Sequence, residues 1–196
     1  MPRYRIAWTT ELGRLTAIEP TPADVVAAAP ALAAAYSDPH NAPLMGHDEP
    51  LDADDVIEHY ADLVADGGRA FLLHHDGALA GDADLRDLED GGAEYTIMVA
   101  ARAAQGRGLG LRFAIMTHAF GFRVLGLDRV YVSIVPANQA SLRMFARLGY
   151  RPDDSAAARA RVDLPDDLTF SIDRASFEGA HAVALAAIAL EPCQGS

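Results

Sequence analysis

Gln105, Gly106, Arg107, Gly108, Leu109 and Gly110 are the residues of this sequence whose types and spacing point most directly at a ligand. Apolar and β-branched residues precede them from Tyr95 to Ala100, and an apolar-rich segment from Leu111 to Leu125 follows, so the pattern predicts strand, tight loop, helix. Such a junction binds anions. The first amides of a helix lack internal partners, the dipole makes that end positive, and glycines let phosphates approach the backbone. Spacing separates the known glycine-rich phosphate loops. A dinucleotide fingerprint needs glycine at 111, where the chain has Leu111, and a P-loop needs Gly-Lys-Ser/Thr, which does not follow. What remains is Gln105-x-x-Gly108-x-Gly110, which taken alone is equally compatible with a plain structural turn.

A second constellation follows. Arg129 to Val135 alternates as a strand does, and Pro136 to Tyr150 reads as a short helix with Asn138 at its N-cap, Leu142, Phe145 and Leu148 on one face, and Gly149 at its stop. Gln-x-x-Gly-x-Gly, then strand, Asn138-x-x-Ser141 and a helix ending Leu148-Gly149-Tyr150, resemble in order and separation the core of the GNAT N-acetyltransferases. The Ala93-Glu94 pair is similar to the strand start of the ribosomal-protein and spermidine acetyltransferase branch. The resemblance covers Ala93 to Pro152 in detail and most of the chain in outline.

That resemblance implies an α/β (α+β) fold: a mixed, mostly antiparallel central sheet flanked by helices, with acetyl-CoA in the gap between two splayed strands. It implies that Met98, Val99 and Ala100 pair with the pantetheine arm and that a backbone N–H, that of Val99 by preference, steadies the oxyanion when an amine attacks the thioester. Gln105, Gly106, Arg107, Gly108, Leu109 and Gly110 would hold the pyrophosphate, with Arg107 or Arg112 adding charge; Asn138 and Ser141 would border the cofactor, or serve only as a cap and a first-turn residue. Glu94 is the candidate base, against the alternative of a solvent-facing strand acid. The stretch from Val99 to Gln105 is one residue longer than the family spacing, which points to a bulge. Where many relatives carry a tyrosine that reprotonates the thiolate, this chain has Phe145, leaving Ser141 or water. The implied reaction is acetyl transfer from acetyl-CoA to a primary amine; a non-catalytic CoA-binding module and a protein N-terminal acetyltransferase are the alternatives, and a homodimer is allowed.

The histidines are read as structural or peripheral. His74 and His75 are adjacent in a strand and point to opposite faces, so they cannot share one metal; no zinc-type spacing exists, and no metal is expected. His118 lies in the glycine-loop helix as a packed residue, while His40 and His47 sit in a turn-rich loop expected over the acceptor pocket.

Composition bounds the rest. A chain of 196 residues, 51% hydrophobic, suits one domain over 1–196 with a substantial core. The single cysteine excludes an internal disulfide and indicates a reducing cytoplasm. No membrane span or signal-peptide core is read. The net charge of −12 argues against nucleic acid and favours a cationic acceptor; Asp48, Glu49, Asp52, Asp54 and Asp55 cluster near the expected pocket.

The elements that must position these residues follow from local signals. Tyr4–Trp8 and Arg14–Ile18 read as paired strands. Thr21-Pro22-Ala23-Asp24 opens a helix to Tyr36 that Pro30 should kink or divide. A second helix runs from the cap Asp52 to Ala65 with Val56, Tyr60, Leu63 and Val64 inward. Strands at 70–75 and 78–85 flank the hairpin signal Asp76-Gly77, and Asp90-Gly91-Gly92 leads into 93–100. Residues 155–161 form a loose or helical excursion, 167–173 a strand, and 177–190 an extra C-terminal helix.

Overall fold

The computed structural model describes residues 2–45, 49–100, 106–162 and 164–193. The first two strands, β1 (Tyr4–Thr10) and β2 (Gly13–Ile18), pair as a hairpin. Then comes α1 (Pro22–Tyr36), opened by the capping box its sequence announces: Thr21 accepts from the Asp24 amide, and the Asp24 carboxylate accepts from the Thr21 amide. Pro30 does not divide it. The proline sits on the exposed side of the helix, which runs on past it. A short turn at Ala42–Leu44 leads to α2 (Ala53–Ala65), again boxed, by Asp52 and Asp55. Val56, Tyr60 and Leu63 face inward as expected, but Val64 is 63% exposed, because the residue after Leu63 is turned about 100° away on a helix.

A meander follows: β3 (Arg69–His75), β4 (Ala78–Glu89) and β5 (Gly92–Val99). Asp76 and Gly77 both take positive φ in the first turn, as Asp90 and Gly91 do in the second. The strand β4 outlasts its expected end at Leu85 because the irregularity between Arg86 and Glu89, with Asp87 at φ 50°, lets pairing resume. Next are α3 (Leu109–Phe120), which widens into a π-turn over Gly121–Leu125, β6 (Arg129–Ile134), α4 (Gln139–Leu148), β7 (Arg151–Pro152), α5 (Ala156–Arg159) and β8 (Leu168–Asp173). The last helix, α6 (Arg174–Ala187), starts and ends earlier than the alanine pattern indicates. Asp173 caps it by accepting from Ser176, and Ile188 turns extended, so residues 189–192 form a strand, β9 (Ala189–Pro192).

Among the described residues the sheet runs β7-β8-β6-β5-β4-β3-β2-β1-β9, antiparallel except where β5 meets β6. On one face α1 and α2 pack Val25, Ala29, Leu32, Val56 and Leu63 over Ala70, Leu72 and Met98. On the other, Phe113, Met116, Phe120, Phe145, Leu148 and Phe177 cover Leu73, Leu85, Tyr95, Val130 and Val132. Fully burying such side chains stabilises the fold by about 1.5–3 kcal/mol each. His118 belongs to this core, as expected. Its Nδ1 lies 2.7 Å from the Ala114 carbonyl, which only accepts, so that nitrogen carries the proton and Nε2 accepts from the Tyr150 hydroxyl at 2.6 Å. Burial lowers its pKa to about 3.

Candidate active site

The parallel pair β5–β6 is short. Gly92 faces Arg129, Ala93 faces Val130 and Glu94 faces Tyr131, and there the ladder ends although β5 continues to Val99 and β6 to Ile134. Beyond Glu94 the two backbones diverge, opening a gap that runs toward the glycine turn. Two cavities occupy it, of about 450 and 370 Å³, and both are lined by Leu44, Met45, Ile97, Asn138 and Ser141. They therefore meet at the gap.

The smaller cavity has the chemistry of an anion site. Met98, Val99, Gly106, Gly108 and Gly110 line it together with Arg143 and Arg147 from α4. Gly108 is the N-cap of α3 at φ +86°, and among the described residues no side chain caps that helix, so its first amides can meet a ligand. Gly106 is also left-handed, at φ +72°. These features fit a pyrophosphate. Gln105, and the bulge expected between Val99 and Gln105, lie outside the described residues. Leu109 is buried and holds the helix start to the core, a role its sequence position does not reveal. Of the two candidate arginines, Arg112 is already engaged: it donates to the Gly108 carbonyl at 3.2 Å and forms an ion pair with Glu11. Arg107 is exposed.

At Val99 the approach of β4 is very close. Gly81, φ +149°, sits opposite Val99, and a Cβ on it would lie 1.9 Å from the Met98 carbonyl oxygen. The Ala100 amide donates to the Ala80 carbonyl at 2.8 Å. This glycine escaped sequence reading; its signal was its place within a strand run, where glycine marks close backbone approach.

The larger cavity lies under α1 and α2. Glu94 lines it but is not the solvent-facing acid of the alternative reading: it is 3% exposed and accepts from Arg86 Nε at 3.1 Å. Asp55, Asp84 and Asp167 add carboxylates to the wall, with Arg86 as the facing cation. Asp167 accepts from the Ser133 hydroxyl at 2.9 Å. Of the acidic run, Asp52 and Asp55 are spent on the capping box of α2, Asp54 and Glu49 are exposed, and Asp48, like His47, lies outside the described residues. His40 lines the anion-end cavity rather than this one.

Asn138 does more than cap. Its side-chain oxygen accepts from the Ser141 amide at 3.0 Å while its NH₂ donates to the Leu44 carbonyl at 3.1 Å, tying the 42–44 turn to α4 across the meeting point of the cavities. Ser141 borders both cavities. Phe145 lines the larger one, edge-on to Tyr95 and Tyr150. Neither tyrosine hydroxyl replaces the missing one, since Tyr95 meets Thr117 at 3.0 Å and Tyr150 meets His118.

One group was not foreseen at all. Asp82 on β4 is 5% exposed, and its carboxylate accepts from the Tyr36 hydroxyl at 3.0 Å and from the Tyr60 hydroxyl at 2.9 Å. Burial raises its pKa to about 6 even though both hydroxyl bonds act to lower it. Burial and the neighbouring Asp82 push both tyrosines well above the usual phenol range.

A family model described as an acetyltransferase (GNAT) domain matches residues 14–151. The chain is 32% identical over 81 residues to the human alpha/beta-tubulin-N-acetyltransferase 9, covering 41% of this chain and 38% of that one. It is 30% identical over 84 residues to the spermidine N(1)-acetyltransferase of Escherichia coli K12, covering 42% and 45%. The matched part thus spans less than half of either curated relative. By structure, Mycobacterium smegmatis RimJ in complex with CoA-disulfide superposes with a TM-score of 0.73 at 17% identity, over 98% of both chains. The aminoglycoside acetyltransferase AAC(6')-Ib in complex with coenzyme A gives 0.69 at 17% identity, over 84% of this chain and 98% of that one.

Proposed function

This chain belongs to the GNAT acetyltransferase family, and from that premise we propose that it transfers the acetyl group of acetyl-CoA directly to an amine. The observation that carries the reading is the end of β5–β6 pairing at Glu94–Tyr131, which leaves a gap joining an anion-binding turn to a second, carboxylate-lined cavity. In this reading the uncapped start of α3 and the glycines at 106, 108 and 110 receive the pyrophosphate, with Gln105 ahead of them. The backbone of Met98, Val99 and Ala100 aligns the pantetheine arm, and a Val99 amide steadies the oxyanion. Asn138 and Ser141 border the thioester. Four acids, Asp55, Asp84, Glu94 and Asp167, against Arg86 favour an acceptor that carries positive charge, as spermidine does. The free thiol of Cys193 fits a reducing cytoplasm.

Phe145 supports the second reading, a CoA-binding module without turnover. One assay separates them: labelled acetyl-CoA offered with polyamines, aminoglycosides, amino acids and N-terminal peptides, with Gly108→Val as the control. Thiol release that requires an amine, and that is lost in Gly108→Val together with acetyl-CoA binding, is the expected outcome. Calorimetric binding of acetyl-CoA with no transfer to any amine establishes the module instead.

A further inference from the structure

The attacking amine must give up a proton, and Glu94 is an awkward recipient because Arg86 already donates to its carboxylate. Asp82 offers another destination. It stands on the same face as Glu94, and its register partner on β5 is Met98, one strand spacing of about 5 Å away, where the thioester arm is proposed to pair. Tyr36 and Tyr60 line the acceptor cavity, and the Asp82 carboxylate behind them accepts hydrogen bonds from both their hydroxyls. Building on the functional reading above, we propose that Asp82 is the proton acceptor of the reaction, reached through the Tyr36 and Tyr60 hydroxyls.

The step balances without any further reagent. As the amine nitrogen bonds to the thioester carbon, its N–H proton passes to a tyrosine oxygen and that tyrosine's own proton passes to Asp82. Collapse of the tetrahedral intermediate breaks the C–S bond, the electron pair leaves on sulfur, and the proton returns from Asp82 along the same hydroxyl to the thiolate. Amide and thiol are formed, and Asp82 is ionised again. The tyrosines hold their protons too tightly to act as phenolates, so relay is the role open to them. An acid titrating near 6 is ionised at neutral pH and close enough to it to accept efficiently. The charged and titratable neighbours are few. Tyr36 comes from α1 and Tyr60 from α2, with His59 and Asp55 farther along the cavity wall. Along β4 itself stand Asp84 and Arg86, while β3 presents Leu72 opposite Asp82, and β5 presents Met98 there with Glu94 four residues away.

The test is the pH dependence of kcat, with acetyl-CoA and the fastest amine of the panel both saturating. The wild type should lose activity about tenfold per pH unit below an apparent pKa near 6. In Asp82→Asn, kcat at pH 7.5 should fall by about 10²-fold or more and the acid limb should vanish, with calorimetric acetyl-CoA binding unchanged. If Asp82→Asn does not fold, the Tyr36→Phe/Tyr60→Phe double variant, which keeps the carboxylate but cuts the relay, should show the same loss and the same missing limb. An acid limb that persists in these variants and disappears in Glu94→Gln overturns the proposal in favour of Glu94. A wild type that turns over no amine removes the functional reading and this inference with it, whereas an active wild type with an unaltered limb in Asp82→Asn removes this inference alone.

Discussion

At Gly81 a single missing side chain sets the distance between two strands. The left-handed φ of +149° and the 1.9 Å that would separate a Cβ from the Met98 oxygen leave no room even for alanine. Gly81→Ala should therefore push β5 away from β4 at Met98 and Val99. We expect a lower urea midpoint, equivalent to about 2 kcal/mol or more, together with at least tenfold weaker acetyl-CoA binding by calorimetry. Full affinity in a destabilised variant would show that the arm does not pair there. Residues of this kind differ in how far the sequence betrays them. The glycines at 106, 108 and 110 announce themselves because loop, strand and helix signals are contiguous. Asp82 does not, because its partners lie 46 and 22 residues away and nothing local to Tyr36, Tyr60 or Asp82 encodes their meeting. Glu94 stands between these cases: its strand was legible, but its burial depends on Arg86 and on the helices packed above.

Between elements, the contact with most leverage is the bond from Asn138 to Leu44. The capping oxygen holds α4, and the NH₂ holds the 42–44 turn, so the two functions separate by substitution. Asn138→Ala should lose both, lowering stability by about 2 kcal/mol. Asn138→Ser keeps a cap but cannot donate as the amide does, so only about 1 kcal/mol should be lost while the Leu44 and Met45 amides exchange about fivefold faster. Equal exchange in wild type and Asn138→Ser would mean that the turn is held by its own bonds to Asn41. Helix starts are legible in the sequence wherever a capping box marks them, at Thr21 and Asp52. Helix ends are less so. The alanine-rich C-terminal pattern has no stop residue before Ile188, and only pairing with β1 distinguishes the strand at 189–192 from a continued helix. Pro30 was expected to interrupt α1; burial of Val25, Ala29 and Leu32 on the opposite side outweighs one lost backbone bond.

Across the whole molecule, two buried groups pull stability in opposite directions as pH falls. His118 is held neutral with a pKa lowered from 6.5 to about 3, so below 6.5 the unfolded chain takes up a proton the folded one refuses. Between pH 7 and 5 that should cost about 2 kcal/mol. Asp82 is raised from 3.8 to about 6, so over the same range the folded chain takes up the proton first and gains about 1 kcal/mol. The wild type should thus change little from these two sites. Asp82→Asn should lose stability on acidification and His118→Gln should gain it, read from urea midpoints at pH 7 and 5. Parallel shifts in all three proteins would contradict both assignments. A different consequence attaches to β9. It covers the free edge of β1, residue for residue from Ala7↔Ala189 to Tyr4↔Pro192, yet the ribosome makes it some 180 residues after that edge. Throughout synthesis the first strand is a bare hydrogen-bonding template, open to any passing strand. That edge therefore stays open to mispairing until Ala189–Pro192 emerge to cover it.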